Sequence, residues 1–305
     1  MRNDKVRPIA LCVADLHISA QAPASRPGDW WGAQSRALGQ VRKKAGQLNV
    51  PVLIAGDIFD RWNPPPSAIN FAIEEIPDAI AIPGNHDLPN HSQDEISKSA
   101  YWTLVMAHKI TDLSHYGMTY AVNDDLSVTG FTCGDVIHPP TDKPMTGLSV
   151  ALVHAYIWDK KNTYPGAPPE AHYSKWEDKL KGYDFAIFGD NHKWFTRKCG
   201  DCVVVNCGAL MRRKSDEHDY QPHMHVLYSD KTVEHVPLDL ANDEMLKPQE
   251  VAEVAEVNLD AYMDAMASVG RVSVDFCEAL RNAAGRRGVS PAVRNMILKA
   301  LEGGR

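Results

Sequence analysis

Residues 185–194 read FAIFGDNHKW, an apolar run that stops abruptly on Gly189-Asp190-Asn191-His192. The first four residues suit a buried strand, and none of the next four favours a strand interior. Asp190 and His192 are also good metal ligands. A strand that delivers an aspartate and a histidine straight after a glycine invites a search for others that end the same way.

Four further β-rich apolar runs occur, at PIALCV (8–13), PVLIA (51–55), AIAI (79–82) and LSVALV (148–153). Their hydrophobicity is continuous rather than alternating, which predicts strands covered on both faces. Between them, WWGAQSRALGQVRKKAGQL (30–48) reads as a helix and PPSAINFAIEEI (65–76) as a second, with prolines at its start where they are tolerated. DEISKSAYWTLVMAHKI (94–110) reads as a third. Alternating strands and helices predict an α/β domain. Hairpin signals at TYAVNDDLSVTG (119–130) and HMHVLYSDKTVEHVPL (223–238) make its sheets mixed. Beyond about residue 240 the strand runs cease and three short helices are expected, the last capped by Ser290 with Pro291 at its first position. The organisation predicted is one domain over 1–240 and a helical C-terminal extension over 241–305.

The composition is that of a globular chain, 44% apolar and 23% charged over 305 residues. A net charge of -7 argues against nucleic-acid binding through bulk positive charge, though bound dications or a local basic strip could supply the attraction. The N-terminal MRNDKVRPIALCVADLH lacks a signal-like apolar segment, and no run of about 18 apolar residues exists to span a membrane. Cys12, Cys133, Cys199, Cys202, Cys207 and Cys277 are too few and scattered for a disulfide framework. A cytoplasmic protein with reduced thiols and no membrane partner is expected.

All five apolar runs deliver metal-capable residues at or just beyond their ends: Asp15 and His17, then Asp57 and Asp60, then Asn85, His86 and Asp87, then His154, then Asp190 and His192. Singly, each has a bland reading as a turn, a cap or an interior histidine. Together they share one structural context, because ligands in open α/β sheets gather outside the carboxyl ends of the strands.

The order D-x-H, GD-x-x-D, GNHD, H and G-x-x-H resembles the calcineurin-like metallophosphoesterase superfamily, over roughly residues 8 to 240. The resemblance implies a four-layer αββα sandwich, two facing sheets flanked by helices, with a two-metal site. Asp15, His17 and His192 would hold one ion, Asn85, His154 and Asp190 the other, and Asp57 would bridge them. His86 would stand by the scissile phosphate as proton donor or charge stabiliser, oriented by a carboxylate such as Asp87. A metal-activated hydroxide would attack the phosphorus. Asp60 would sit behind the ligands and orient His17. The superfamily usually has histidine where this chain has Asp190. Either the carboxylate still binds, favouring Mn²⁺ or Mg²⁺ over Zn²⁺ or iron, or the second site is weakened.

LIAGDIFDRWNPPPSAINFA followed by AIAIPGNHD is similar to the nuclease subunit of the bacterial SbcC–SbcD complex, as is VVVNCGALMRR (203–213). That likeness implies a DNA nuclease, which the short C-terminal region would make a minimal, phage-like one, with a phosphatase or phosphodiesterase on small nucleotides or phosphoproteins as the alternative. Arg61, Lys193, Arg212 and Arg213 are candidate DNA contacts, and Trp194 and Phe195 could stack on an unpaired base. A solvated basic hairpin with two core aromatics explains the same residues equally well. SbcD-type nucleases usually carry a mixed cap before a helical ATPase-binding segment. Only about 65 residues remain here, so 241–305 would be a reduced cap or an arm for an SbcC-like ATPase, and a weakly catalytic docking subunit is a further reading. The stretch 94–110 is a candidate homodimer surface. Cys199-Gly-Asp-Cys202 reads as a hairpin turn, and His218, His223 and His225 as surface or strand residues.

Overall fold

The computed structural model describes residues 6–115, 117–140 and 147–247. The helices expected beyond 247 lie outside the described residues. Two six-stranded sheets make up the described fold. The first has the order β12-β11-β1-β2-β3-β4, with β1 Pro8–Val13, β2 Val52–Ala55, β3 Ala79–Ile82, β4 Ile110–Asp112, β11 His223–Tyr228 and β12 Val233–Pro237. The second has the order β5-β6-β7-β8-β10-β9, with β5 Thr119–Asn123, β6 Leu126–Phe131, β7 Leu148–His154, β8 Phe185–Gly189, β9 Phe195–Cys199 and β10 Cys202–Asn206. Strands β1 to β4 run parallel, as do β6, β7, β8 and β10, while β5, β9 and the β11–β12 hairpin pair antiparallel. The sheets are mixed, as expected.

The unbroken hydrophobicity of the central strands follows from burial on both sides. Ala10, Cys12, Leu53, Ala55, Ile80 and Ile82 meet Val150, Leu152, Phe185 and Ile187 between the sheets. Alternate residues of the first sheet, among them Leu11, Val13, Val52 and Ile54, pack outward against helices α1 (Trp30–Leu48), α2 (Pro66–Glu75) and α3 (Ala100–Met106). Those of the second, such as Ala151, Val153, Ala186 and Phe188, pack with Trp176 and with Leu180 of the short α4 (Glu177–Leu180). The result is the four-layer sandwich. Truncating Leu53, fully buried at the centre, to alanine would cost roughly 2–5 kcal/mol.

Helix α1 begins where Asp29 accepts a hydrogen bond from the Gly32 amide at 2.9 Å, and it ends at Asn49 in the left-handed conformation. Its buried stripe includes Gln34, whose amide group bonds the Ser19 amide at 3.0 Å and the Ser19 carbonyl at 3.1 Å. Trp30 donates to the same carbonyl at 3.0 Å. Helix α1 thereby fixes the loop that follows Asp15 and His17.

The single helix expected over 94–110 is broken. Gln93–Lys98 form a 3₁₀ segment, the Ser99 hydroxyl accepts from the Trp102 amide to start α3, and Ile110 already belongs to β4. The Cys199–Cys202 turn is as expected: the two cysteines face each other across the β9–β10 hairpin and are unbonded. Among the described residues no helix is long and apolar enough to cross a membrane.

Candidate metal centre

The carboxyl ends of β1, β2 and β3 are neighbours in one sheet, those of β7 and β8 in the other, and β2 contacts both β7 and β8 across the interface. The loops leaving these ends are laced together by main-chain bonds. The Asp15 amide donates to the Gly56 carbonyl at 3.1 Å and the His17 amide to the Asp57 carbonyl at 2.9 Å. Two glycines are dictated by this closeness. A side chain on Gly56, at φ +87°, would strike the His154 ring, and one on Gly84 would strike the Asp57 carboxylate and amide.

The backbone here is strained. Asp15 (φ 51°), His17 (φ 45°), Asp57 (φ 53°) and Asp190 (φ 90°) all lie at positive φ without being glycine. Such conformations cost about 1–3 kcal/mol each and persist where function requires them. They aim the side chains inward. Three donor groups result, each with its ligand atoms within 4.8 Å of one another: Asp15, His17 and His192; Asp15, Asp57 and His154; and His17, Asp57 and His86. Asp57 turns one carboxylate oxygen toward His17 and the other toward His154, which suits a bridging carboxylate. His17 Nε2 lies 3.2 Å from His192 Nε2 and 3.7 Å from Asp57 Oδ2. His154 Nε2 lies 3.6 Å from Asp57 Oδ1 and 3.0 Å from Asn85 Oδ1, while its Nδ1 donates to the Ala55 carbonyl at 2.7 Å.

The electrostatics match an acceptor-rich pit. Burial pushes the Asp15 carboxyl up to about 6 despite His192 and His154 nearby. Burial lowers the His17 imidazole, and the Arg213 guanidinium lowers it further. At His154 burial acts downward too, but Asp57, Asp15 and Asp190 outweigh it and the group ends at about 9. Buried carboxylates and imidazoles facing one another at these distances call for cations. The donor set therefore fits the two divalent ions that such a cluster would hold.

A sequence model describing the calcineurin-like phosphoesterases matches residues 10–207, about two thirds of the chain. The chain belongs to that family. It is a metallophosphoesterase and a hydrolase by family, and its donor clusters fit the family's dinuclear metal site. No curated protein matches it at a significant level. Among solved structures this phosphoesterase is similar to a Staphylococcus aureus protein assigned as a 5′-nucleotidase, at 15% identity and a TM-score of 0.50, covering 83% of this chain and 58% of that one. It is also similar to the sulfate thiohydrolase SoxB of Thermus thermophilus, at 12% identity, TM-score 0.46, with 84% and 60% covered. A third is the phosphoesterase YfkN of Bacillus subtilis, at 11% identity, TM-score 0.44, with 84% and 98% covered. The chain spans about three fifths of the first two of these proteins. The nucleotidase match supports the fold and nothing finer.

Several residues of this phosphoesterase take other parts than the sequence suggests. Asp87 does not orient His86. It is fully buried, and its carboxylate accepts from the amides of Gly84 at 2.9 Å, Phe59 at 2.9 Å and Ile58 at 3.1 Å, riveting the GNHD loop to the GDIFD loop. His86, exposed at the rim, is oriented instead by the Asp60 carbonyl, 2.7 Å from its Nδ1. Asp60 Oδ1 comes within 3.9 Å of His17 Nδ1, beyond a hydrogen bond, and is paired with Arg213. Asp190 lines a depression together with His192, and burial raises its carboxyl against the opposing pull of His154, with Asp57 raising it further. Yet among the described residues it joins none of the three donor groups, and its amide donates to both Asp15 oxygens at 3.0 and 3.1 Å.

Two candidate DNA contacts are otherwise engaged. Arg212 is buried and bound to Asp243 at 2.7 Å and to the His218 carbonyl at 2.6 Å, and Arg213 is held by Asp60. Phe195 is a core residue, and Trp194 lies among the rings of His223, His225 and His235. Arg61 and Lys193 are exposed. Sequence reasoning missed Asn191, which donates to the carbonyls of Ile157 at 2.8 Å and Asn162 at 2.9 Å and so ties the 157–162 loop to the metal motif. Its place between Asp190 and His192 was the available signal. It also missed Glu217, whose Oε1 lies 3.7 Å from His192 Nδ1, with 24 residues between them in sequence and no local signal.

Proposed function

We propose that this phosphoesterase hydrolyses phosphodiesters of DNA with two divalent ions, Mn²⁺ by preference. One observation carries the diester reading. Two depressions lie beside the metal centre, one lined by Asp60, which stands 3.9 Å from His17, and by Arg61, the other lined by Asp190 and His192 themselves and including Lys193 and Lys214. A diester has a substituent on each side of its phosphorus, and each depression offers an exposed cation to a neighbouring phosphate. The second, about 280 Å³, is also lined by Tyr156 and Tyr164, whose rings lie 5.2 Å apart and could take an unpaired base. The likeness of residues 53–87 to SbcD-type nucleases supports DNA as the polymer.

In this reading Asp15, His17 and His192 would hold one ion, Asn85, His154 and Asp190 the other, and Asp57 would serve both. Bound ions would activate the attacking water and neutralise the phosphoryl oxygens. His86, with its Nδ1–H engaged by the Asp60 carbonyl, would in its imidazolium form donate the Nε2 proton to the leaving oxygen and return to the neutral Nδ1–H ring. Asp87 keeps the His86 and Asp57 loops in register. The oxygen donor at Asp190 favours Mn²⁺ or Mg²⁺ over Zn²⁺.

The test is hydrolysis by metal-stripped protein resupplied with Mn²⁺, Mg²⁺ or Zn²⁺. Labelled single- and double-stranded DNA would be compared with bis(p-nitrophenyl) phosphate and p-nitrophenyl phosphate. Mn²⁺-dependent cleavage of DNA and of the diester is expected. Turnover of the monoester alone would place the protein among phosphatases and overturn the proposal.

A further inference from the structure

The segment Arg212–Glu217 belongs to none of the motifs that supply metal donors, yet it stands behind both histidines of the first ion. Glu217 turns one carboxylate oxygen toward His192 Nδ1 at 3.7 Å, and its other oxygen accepts from the amides of Arg213 at 2.6 Å and Lys214 at 3.0 Å. The carboxylate is thus locked by its own loop and cannot swing away from the ring. Arg213 reaches back to the Asp60 carboxylate, which stands 3.9 Å from His17 Nδ1, a buried nitrogen with no hydrogen-bond partner among the described residues. The loop itself is anchored far from the donors. Arg212 and Arg26, both buried, converge on the carboxylate of Asp243, and Arg26 also bonds the Arg212 carbonyl at 3.1 Å. Ser25 donates to the Arg213 carbonyl at 2.5 Å.

We infer that Glu217 is a positioning residue for the first metal ion, acting through His192, and that the Asp243 clasp with Arg26 and Arg212 holds it in place. A carboxylate on the far nitrogen of a metal-binding histidine fixes its tautomer as Nδ1–H, leaving the Nε2 lone pair for the ion, and raises its basicity. His192 approaches that arrangement: Glu217 Oε1 faces its Nδ1 at 3.7 Å, beyond a hydrogen bond but close enough for the charge to act, and Nε2 is turned toward His17. The second ion has no such buttress: His154 Nδ1 is served by the Ala55 carbonyl, within the sandwich, and owes nothing to this loop. The two ions should therefore respond differently to changes in the loop. This inference rests on the two-ion reading of the site but not on DNA as substrate.

The experiment is a calorimetric Mn²⁺ titration of the metal-stripped full chain, for wild type, Glu217→Gln and Asp243→Asn. Glu217→Gln keeps an oxygen for the two amides and removes the charge facing His192. One ion is expected to bind about tenfold to a hundredfold more weakly in Glu217→Gln, with the other unchanged, and Asp243→Asn should show a smaller loss at the same ion. Equal affinities in wild type and Glu217→Gln, or equal weakening of both ions, would overturn the assignment. Should either variant fail to fold, nitrogen-15 imidazole spectra of the metal-stripped wild type at alkaline pH decide it, because there no ion imposes the tautomer. Nδ1–H at His192 supports the inference, and Nε2–H contradicts it. Failure of the wild type to bind two ions would contradict the two-ion reading, whatever the variants do.

Discussion

Two groups of histidines lie within this sandwich, and their surroundings separate them. His17, His154 and His192 stand among Asp15, Asp57, Asp190 and Glu217. His223, His225 and His235 stand among themselves and Trp194 on the β11–β12 hairpin, with His225 Nδ1 2.8 Å from His235 Nδ1 and His225 Nε2 3.0 Å from the Cys207 carbonyl. Carboxylates hold His154 at about 9 against burial, whereas burial takes His225 down to about 3, helped by its two neighbours, and lowers His223 and His235 as well. In this molecule every group of donors close enough to share an ion includes a carboxylate, among the described residues, whereas His225 spends its two ring nitrogens on His235 and the Cys207 carbonyl. His223, His225 and His235 pack as neutral rings, and His225 and His235 share a hydrogen bond.

The hardest attempt to break this comparison is to remove the shared carboxylate. Asp57→Asn should lower diester hydrolysis by at least about a hundredfold, the scale on which a preorganised charge acts, while leaving the melting temperature close to wild type. Full activity in that variant would mean that the carboxylates do not define the site. A comparable loss is expected for Gly84→Ala, since the added methyl would occupy the place of the Asp57 carboxylate. There the readout is metal binding beside activity, and an unaltered metal stoichiometry would contradict the packing argument.

Much of the fold and of the donor set is legible in the amino-acid order alone. The continuous apolar runs mark β1, β2, β3, β7 and β8 nearly to the residue, because double burial leaves no polar positions to blur them. The five strand ends mark the donors because each motif is local. What stays hidden is non-local. Asp87 sits beside His86 in sequence, but three buried amides at the chain reversal need an acceptor, and that demand decides its role. Arg212 reads as a solvated cation because its partner, Asp243, lies 31 residues on. Trp194 reads as a stacking platform because the histidines that cover it come from a later hairpin. The helix over 94–110 fails at Ser99, a residue whose hydroxyl starts a helix more readily than it continues one.

Smaller effects sharpen the contrast further. Asp190→His should shift the metal preference of hydrolysis from Mn²⁺ toward Zn²⁺ by a few-fold or more, because an imidazole replaces a hard oxygen donor. An unchanged ranking of metals would remove Asp190 from the ligand set. For the second histidine group the expectation concerns stability. His225 is held well below its unfolded value of 6.5, so the unfolded chain takes up a proton that the folded chain refuses. Stability is then complete above pH 6.5 and falls as the pH drops toward 3, by up to about 1.4 kcal/mol per unit from this group. Thermal melts of wild type and His225→Gln across pH 7 to 4 should show a shallower decline in the variant, with the number of bound metal ions unaltered. Parallel declines would mean that other groups govern acid stability.

The central claim is that the carboxylate-rich group alone binds ions, and that it binds two of them across Asp57. Electron paramagnetic resonance of the metal-stripped chain titrated with Mn²⁺ measures this directly. The account predicts two ions per chain with the spectrum of a spin-coupled pair, and loss of the coupling in Asp57→Asn. A single uncoupled ion in the wild-type protein, or coupling that survives in the variant, would contradict it.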